Sequence, residues 1–251
     1  MRLKYVEYGT ENKDVILLLH GGGLSWWNFR EEAELLQSDY HVILPVLDGH
    51  SGSDRNFTTI EDNAGEMISF IDDHFGGRVL LIGGVSLGAQ ILLEMLARRG
   101  DICRYAIVES ALVIPSRLTH AMVRPAYGSC YGLIRKKWFA KLQSQFLRIK
   151  ACLFEDYFRD TCAITKENMI AFLQANSLYS LKDSTVNCDA EVCVLIGDKE
   201  IPLMKKSAGE IHRKIPGSTL RILPGFHHGE FSLNQARHYV ARILEMIEEN
   251  E

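Results

Sequence analysis

Ser86 in Gly84-Val85-Ser86-Leu87-Gly88, the adjacent His227 and His228, and the acids Asp198 and Glu200 are residue types that do chemistry together. A serine hydroxyl attacks a carbonyl carbon when a base lies within hydrogen-bond reach and an acid orients that base. It also needs N–H donors for the oxygen that becomes negative. G-x-S-x-G between an apolar run and a helical pattern places Ser86 on a sharp strand-to-helix turn, with a strained positive-φ backbone and its hydroxyl at the tip. Either histidine of Phe226-His227-His228-Gly229 is a base candidate. Asp198 and Glu200 are acid candidates, and Glu109 is a third. Donors come from the N–H of Leu87, which follows the serine, and from the three glycines of His20-Gly21-Gly22-Gly23; Gly22 is the first choice and Gly23 the alternative.

Each group must sit at the C-terminal end of a strand, where ligands bind in open α/β sheets. The sequence supplies those strands. Val15–Leu19 is a continuous apolar run, as a strand buried on both faces requires, and it leads directly into the glycines. His41–Pro45 is followed by the Gly/Ser/Asp loop of residues 48–54. The run from Val79 precedes the serine, with a helix predicted over Leu87–Arg98. Arg104–Val108 ends at Glu109, Glu191–Ile196 precedes the two acids, and Thr219–Leu223 precedes the histidines. Leu3–Tyr8 reads as a first strand. Helices are predicted over Trp27–Leu36, Thr59–Phe75, Leu203–Ile211 and Leu233–Ile247. This alternation predicts an α/β fold with a doubly wound, mostly parallel sheet.

The rhythm breaks between about Ala111 and Asn187. Helical spacings such as Trp138/Leu142/Phe146/Ile149 and Met169/Phe172/Leu173 replace the strands, over a length too great for a loop. The expected organisation is therefore a core of residues 1–110 and 188–251 with a helical cap over 111–187.

The bulk numbers narrow the function classes. The chain has 251 residues, 47% of them hydrophobic, and a net charge of −4, without the strong basic excess of a nucleic-acid binder. No 18-residue apolar run and no signal-peptide core is present, so no stable membrane insertion is expected. Six cysteines without a C-x-x-C pair read as reduced thiols, and the expected location is cytoplasmic. No Gly-Lys-Ser/Thr and no G-x-G-x-x-G follows a strand, which sets aside nucleotide binding. No metal or organic cofactor is implied, and a homodimer stays open.

Five anchors occur in order: Leu19-His20-Gly21-Gly22-Gly23, Asp48-Gly49-x-Ser51-Gly52-Ser53, Gly84-Val85-Ser86-Leu87-Gly88, Gly197-x-x-Glu200, and Pro224-Gly225-Phe226-His227-His228-Gly229. Together they make the chain resemble the α/β-hydrolase superfamily, in its single-domain form with a helical lid. The order serine, acid, histidine is that of this superfamily and not that of chymotrypsin-like or subtilisin-like enzymes. The resemblance implies Ser86 as nucleophile, His228 rather than His227 as base, and Glu200 as acid, with Asp198 as the alternative. Glutamate stands where the superfamily usually carries aspartate. The implied function is hydrolysis of a small-molecule ester through an acyl-enzyme. Carbon–carbon bond hydrolysis and a non-enzymatic ligand receptor on the same fold are the alternatives.

One stretch bears on the substrate. Ser110–Phe154 holds no acid and eight cations, Arg117, Arg124, Arg135, Lys136, Lys137, Lys141, Arg148 and Lys150. It reads as a solvated basic face, as an attraction for a carboxylate- or phosphate-bearing substrate, or as a dock for an anionic surface.

Overall fold

The computed structural model describes residues 3–248. Seven strands form one sheet: β1 (Lys4–Tyr8), β2 (Val15–Leu19), β3 (His41–Val46), β4 (Val79–Val85), β5 (Cys103–Glu109), β6 (Glu191–Gly197) and β7 (Thr219–Leu223). Their order is β1-β3-β2-β4-β5-β6-β7; β1 runs antiparallel to β3 and the other neighbouring pairs are parallel. Side chains of a strand alternate between faces. In β2, Leu17 and Leu19 join one core cluster and Ile16 and Leu18 the other. Two buried faces explain why its sequence is uniformly apolar.

Helices cover both faces. On one side α2 (Ile60–Phe75), α3 (Leu87–Arg98) and α8 (Pro202–Lys214) bury Met67, Leu92 and Ile211. On the other, α1 (Arg30–Leu36) and α10 (Ala236–Glu248) bury Ala33, Tyr239 and Ile243. Thr59 caps α2 by accepting from the Asp62 N–H at 2.9 Å.

Two predicted helices are divided. Trp26–Phe29 is a 3-10 turn, and α1 begins only at Arg30. The stripe predicted over 233–247 is split into α9 (Glu230–Asn234) and α10, because Gln235 between them leaves the helical region (φ −128°, ψ 48°). The break lets Leu233 pack in a separate cluster with Trp27, Ile149 and Leu153, while Tyr239 and Ile243 face the sheet.

Between β5 and β6 lie α4 (Arg117–Ile134), α5 (Lys137–Phe146), α6 (Phe154–Ala163) and α7 (Lys166–Leu178). They meet the loops at the C-terminal ends of the strands. Trp27 Nε1 donates to Asp160 at 2.8 Å, and the Phe57 N–H to Asn168 at 3.0 Å. Gln90 of α3 donates to the Leu112 and Asn176 carbonyls and accepts from Asn176 Nδ2 at 2.9 Å. Trp138, Leu142 and Phe146, which the spacing made candidates for packing, instead lie 64%, 60% and 86% exposed on one stripe of α5. Among the described residues no helix is long and apolar enough to cross a membrane, and all six cysteines are unpaired.

Candidate active site

Ser86 joins β4 to α3 with φ 54° and ψ −111°, outside the usual region for an L residue. Its N–H is held by the Glu109 carbonyl at 2.9 Å, and its own carbonyl accepts the first helical bond from the Gln90 N–H at 3.0 Å. The flanking glycines allow the turn. A Cβ on Gly84 would lie 2.6 Å from the Gly88 carbonyl oxygen, and one on Gly88 2.2 Å from that of Leu19. Any side chain at either position would push strand and helix apart.

His228 reaches Ser86 from the loop after β7, with Nε2 3.0 Å from the Ser86 Oγ. Its Nδ1 lies 2.9 Å from Glu200 Oε2. A carboxylate only accepts, so Nδ1 carries the proton and Nε2 is free to take one from the hydroxyl. The other Glu200 oxygen accepts from the Ser110 hydroxyl at 2.7 Å and the Gly197 N–H at 3.0 Å. Burial pushes the Glu200 carboxyl up, but its bonds from His228, Ser110 and Gly197 and the His228 charge outweigh this and hold it below the ordinary value.

The rival acids are occupied elsewhere. Asp198 accepts from the Gly225 N–H at 2.7 Å and so fixes the turn leading to the histidines. Glu109 lies buried beneath, accepting from the Ser232 N–H at 3.2 and 3.3 Å. Burial, with the nearby Glu200 charge, pushes it up to about 7 against the Ser232 bonds. His227 turns away from Ser86, with its Nε2 3.1 Å from Arg148 Nη2.

The three glycines divide their N–H groups. That of Gly21 faces Asn28 Oδ1 at 3.5 Å, and that of Gly23 donates to His50 Nε2 at 3.0 Å. Gly23, the alternative donor for an oxyanion, is therefore engaged by a side chain and corrected out of that role; Gly22 remains. The Leu87 N–H, first in α3, has no partner one turn back within the helix. His20 is a brace: Nδ1 donates to the Gly21 carbonyl at 2.9 Å and Nε2 accepts from the Leu47 N–H at 3.1 Å. Burial takes His20 down to about 3 and His50 to about 4, so both imidazoles stay neutral acceptors.

Ser110, His50 and Asn28 were not singled out by sequence reasoning. Ser110 joins acid and base loops, since its hydroxyl donates to Glu200 and accepts from the Gly229 N–H at 3.2 Å. Its signal was its place just beyond a strand end, and like Ser86 it has a positive φ, here 54°. His50 lies within the Asp48–Ser53 anchor, but nothing local links it to Gly23.

Comparison with known proteins places the fold. The fold is similar to a thermophilic esterase from Thermogutta terrifontis solved with malate bound, at 18% identity and a TM-score of 0.79, covering 98% of this chain and 93% of that one. It is similar to an enol-lactonase from Burkholderia xenovorans at 15% identity and a TM-score of 0.80, covering 98% and 96%. A lipase-esterase related protein from Clostridium acetobutylicum gives 21% identity, a TM-score of 0.76, and coverage of 98% and 99%. A sequence profile described as Alpha/beta hydrolase family matches residues 16–242, nearly all of the sheet and the site loops, and the chain belongs to that family.

Proposed function

We propose that this protein is a serine hydrolase of small-molecule esters. The observation that carries the reading is the unbroken path from Ser86 Oγ through His228 to Glu200, at 3.0 and 2.9 Å, starting from a residue held at positive φ.

In this reading Ser86 Oγ attacks the ester carbonyl while His228 Nε2 takes the hydroxyl proton. The Glu200 carboxylate holds Nδ1–H and stabilises the imidazolium that forms. The tetrahedral oxyanion accepts from the Gly22 and Leu87 N–H groups, a pair of donors that costs no reorganisation as charge develops. His228 returns its proton to the leaving alkoxide. Water, deprotonated by the same nitrogen, then releases the acid from the acyl-enzyme. Residues 111–187 act as the lid. Phe172 of α7 supports that role, because a Cβ on Gly22 would lie 3.3 Å from its ring, so the lid forms the wall beside the oxyanion site.

Labelling with a serine-directed phosphonate, mapped by mass spectrometry, and a panel of aryl esters test this together. The expected adduct is on Ser86, and Ser86→Ala lowers kcat by about a thousandfold or more with the fold intact. Unchanged turnover in Ser86→Ala would remove the assignment. An adduct without turnover of any ester would favour a ligand receptor on the same fold.

A further inference from the structure

We propose that an anion-binding subsite lies beside the triad, where the Arg148 guanidinium holds a carboxylate carried by an otherwise apolar ester substrate. The proposal rests on the ester-hydrolase reading of the site and names the substrate class.

A cavity of about 490 Å³ opens against His228 and Glu200, a volume suited to a small ligand. Its walls are mainly apolar, from Phe146, Leu147, Ile201 and Met204, with Arg148 and Lys199 as its two cations. Lys199 lies 3.7 Å from Asp198, while Glu200 does not neutralise Arg148: its side chain is fully buried and both oxygens are already bonded to His228, Ser110 and Gly197. The hollow thus joins a positive charge to apolar surface within one site.

Arg148 is the one cation of its stretch that lines this cavity, and two others of the stretch are paired with acids. Lys150 pairs with Glu31 at 2.9 Å and Lys137 with Glu155 at 2.7 Å. Among the described residues no carboxylate lies within ion-pair distance of Arg148. Its guanidinium bonds to His227 Nε2 at 3.1 Å. A guanidinium only donates, so this nitrogen accepts, and four further N–H donors of the fork are left for a ligand.

The backbone of Arg148 is strained toward this position. With φ 57° it is, among the described residues, one of three non-glycine residues at positive φ; the other two, Ser86 and Ser110, lie at the candidate site. Such a conformation costs an L residue roughly 1–2 kcal/mol and persists where neighbours impose it. Here Asn234 Nδ2 donates to the Arg148 carbonyl at 2.8 Å, and the Arg148 N–H to the Gln145 carbonyl at 3.2 Å. The strain holds a cation beside the triad with no acid to balance it. A planar fork pairs with a carboxylate through two parallel hydrogen bonds, and the apolar walls offer surface to the rest of the ligand. A second hollow, of about 650 Å³, shares Phe146 and Arg148 and runs along Phe139 and Leu142, giving the apolar body room past the charge.

The test compares phenyl hexanoate with 3-(hexanoyloxy)benzoate and the monophenyl ester of adipic acid, which add a carboxylate on the alcohol or the acyl side. Wild type is expected to favour at least one carboxylate ester about tenfold in kcat/KM, mainly through KM. Arg148→Gln abolishes that ratio, Arg148→Lys restores part of it, and 1 M salt weakens it. An unchanged ratio in Arg148→Gln, or no preference in wild type, overturns the proposal. Calorimetric binding of 4-phenylbutyrate to Ser86→Ala protein, with and without Arg148→Gln, is the arm independent of turnover. Binding lost with Arg148 supports the subsite even if no ester is hydrolysed, in which case it is the hydrolase reading that fails. Binding that is absent, or indifferent to Arg148, overturns the subsite even if esters are hydrolysed.

Discussion

The Glu200 carboxylate accepts from His228, Ser110 and Gly197, while Asp198, two residues earlier, accepts from the Gly225 N–H and lies 3.7 Å from Lys199 Nζ. The two acids should therefore separate sharply under substitution. Glu200→Gln keeps the size but removes the charge that supports the imidazolium and lets the wrong tautomer form, so kcat on a reference ester is expected to fall about a thousandfold or more. Asp198→Asn still offers an acceptor to Gly225 and is expected to lose less than about tenfold. Equal losses would move the orienting role away from Glu200. The residues alone left the two open, because both lie in one strand-end loop, and only the resemblance favoured Glu200. What distinguishes them is reach to His228, 28 positions away, and a hydroxyl from Ser110 that no local pattern reveals. Ser86, by contrast, was legible, because its strain is set by the four residues around it.

At the level of elements, the strands could be read because burial on two faces leaves a continuous apolar signal. The inserted helices were harder. Helix α4 buries only Val123 and Ile134 and carries Pro125 inside, so neither periodicity nor propensity marks it. The exposed stripe of α5 has helical spacing without the burial that spacing usually signifies. Ile164, Met169 and Phe172 pack into the main core, and polar contacts between residues distant in sequence also tie the insertion to it. Asp160 of α6 accepts from Trp27 Nε1 at 2.8 Å and from the Ser51 hydroxyl at 3.1 Å, and Arg159 donates to both its oxygens. Asp160→Ala leaves the buried indole N–H without an acceptor, at a cost of about 1–3 kcal/mol. The expected outcome is a lower midpoint in urea and faster proteolytic cleavage within 154–178 than in the sheet. An unchanged midpoint would show that the insertion is held by other contacts.

The whole molecule carries buried titratable groups of opposite sign. His20 and His50, taken down to about 3 and 4 from an ordinary 6.5, stabilise the fold above pH 6.5, and that stability is lost as pH falls, because the unfolded chain takes up protons first. Glu200, held below its ordinary value, has the same sign at lower pH. Glu109 opposes them. Folded, it keeps its proton up to about 7, whereas the unfolded carboxyl loses it near 4.5, so its contribution falls as pH rises between those values. Subtracting wild type from Glu109→Gln isolates this group. The difference in unfolding free energy should shift in favour of the variant, by on the order of 2–3 kcal/mol, from about pH 5 to about pH 8. A flat difference would mean that Glu109 is not held protonated. The three groups of the triad come from the ends of β4, β6 and β7, with 142 positions between Ser86 and His228. Because His228 follows β7 at the rim of the sheet, the three side chains are together only where β7 has docked. A chain whose β7 has not docked would hold Ser86 without His228 beside it, and in the proposed reading it would hydrolyse no ester.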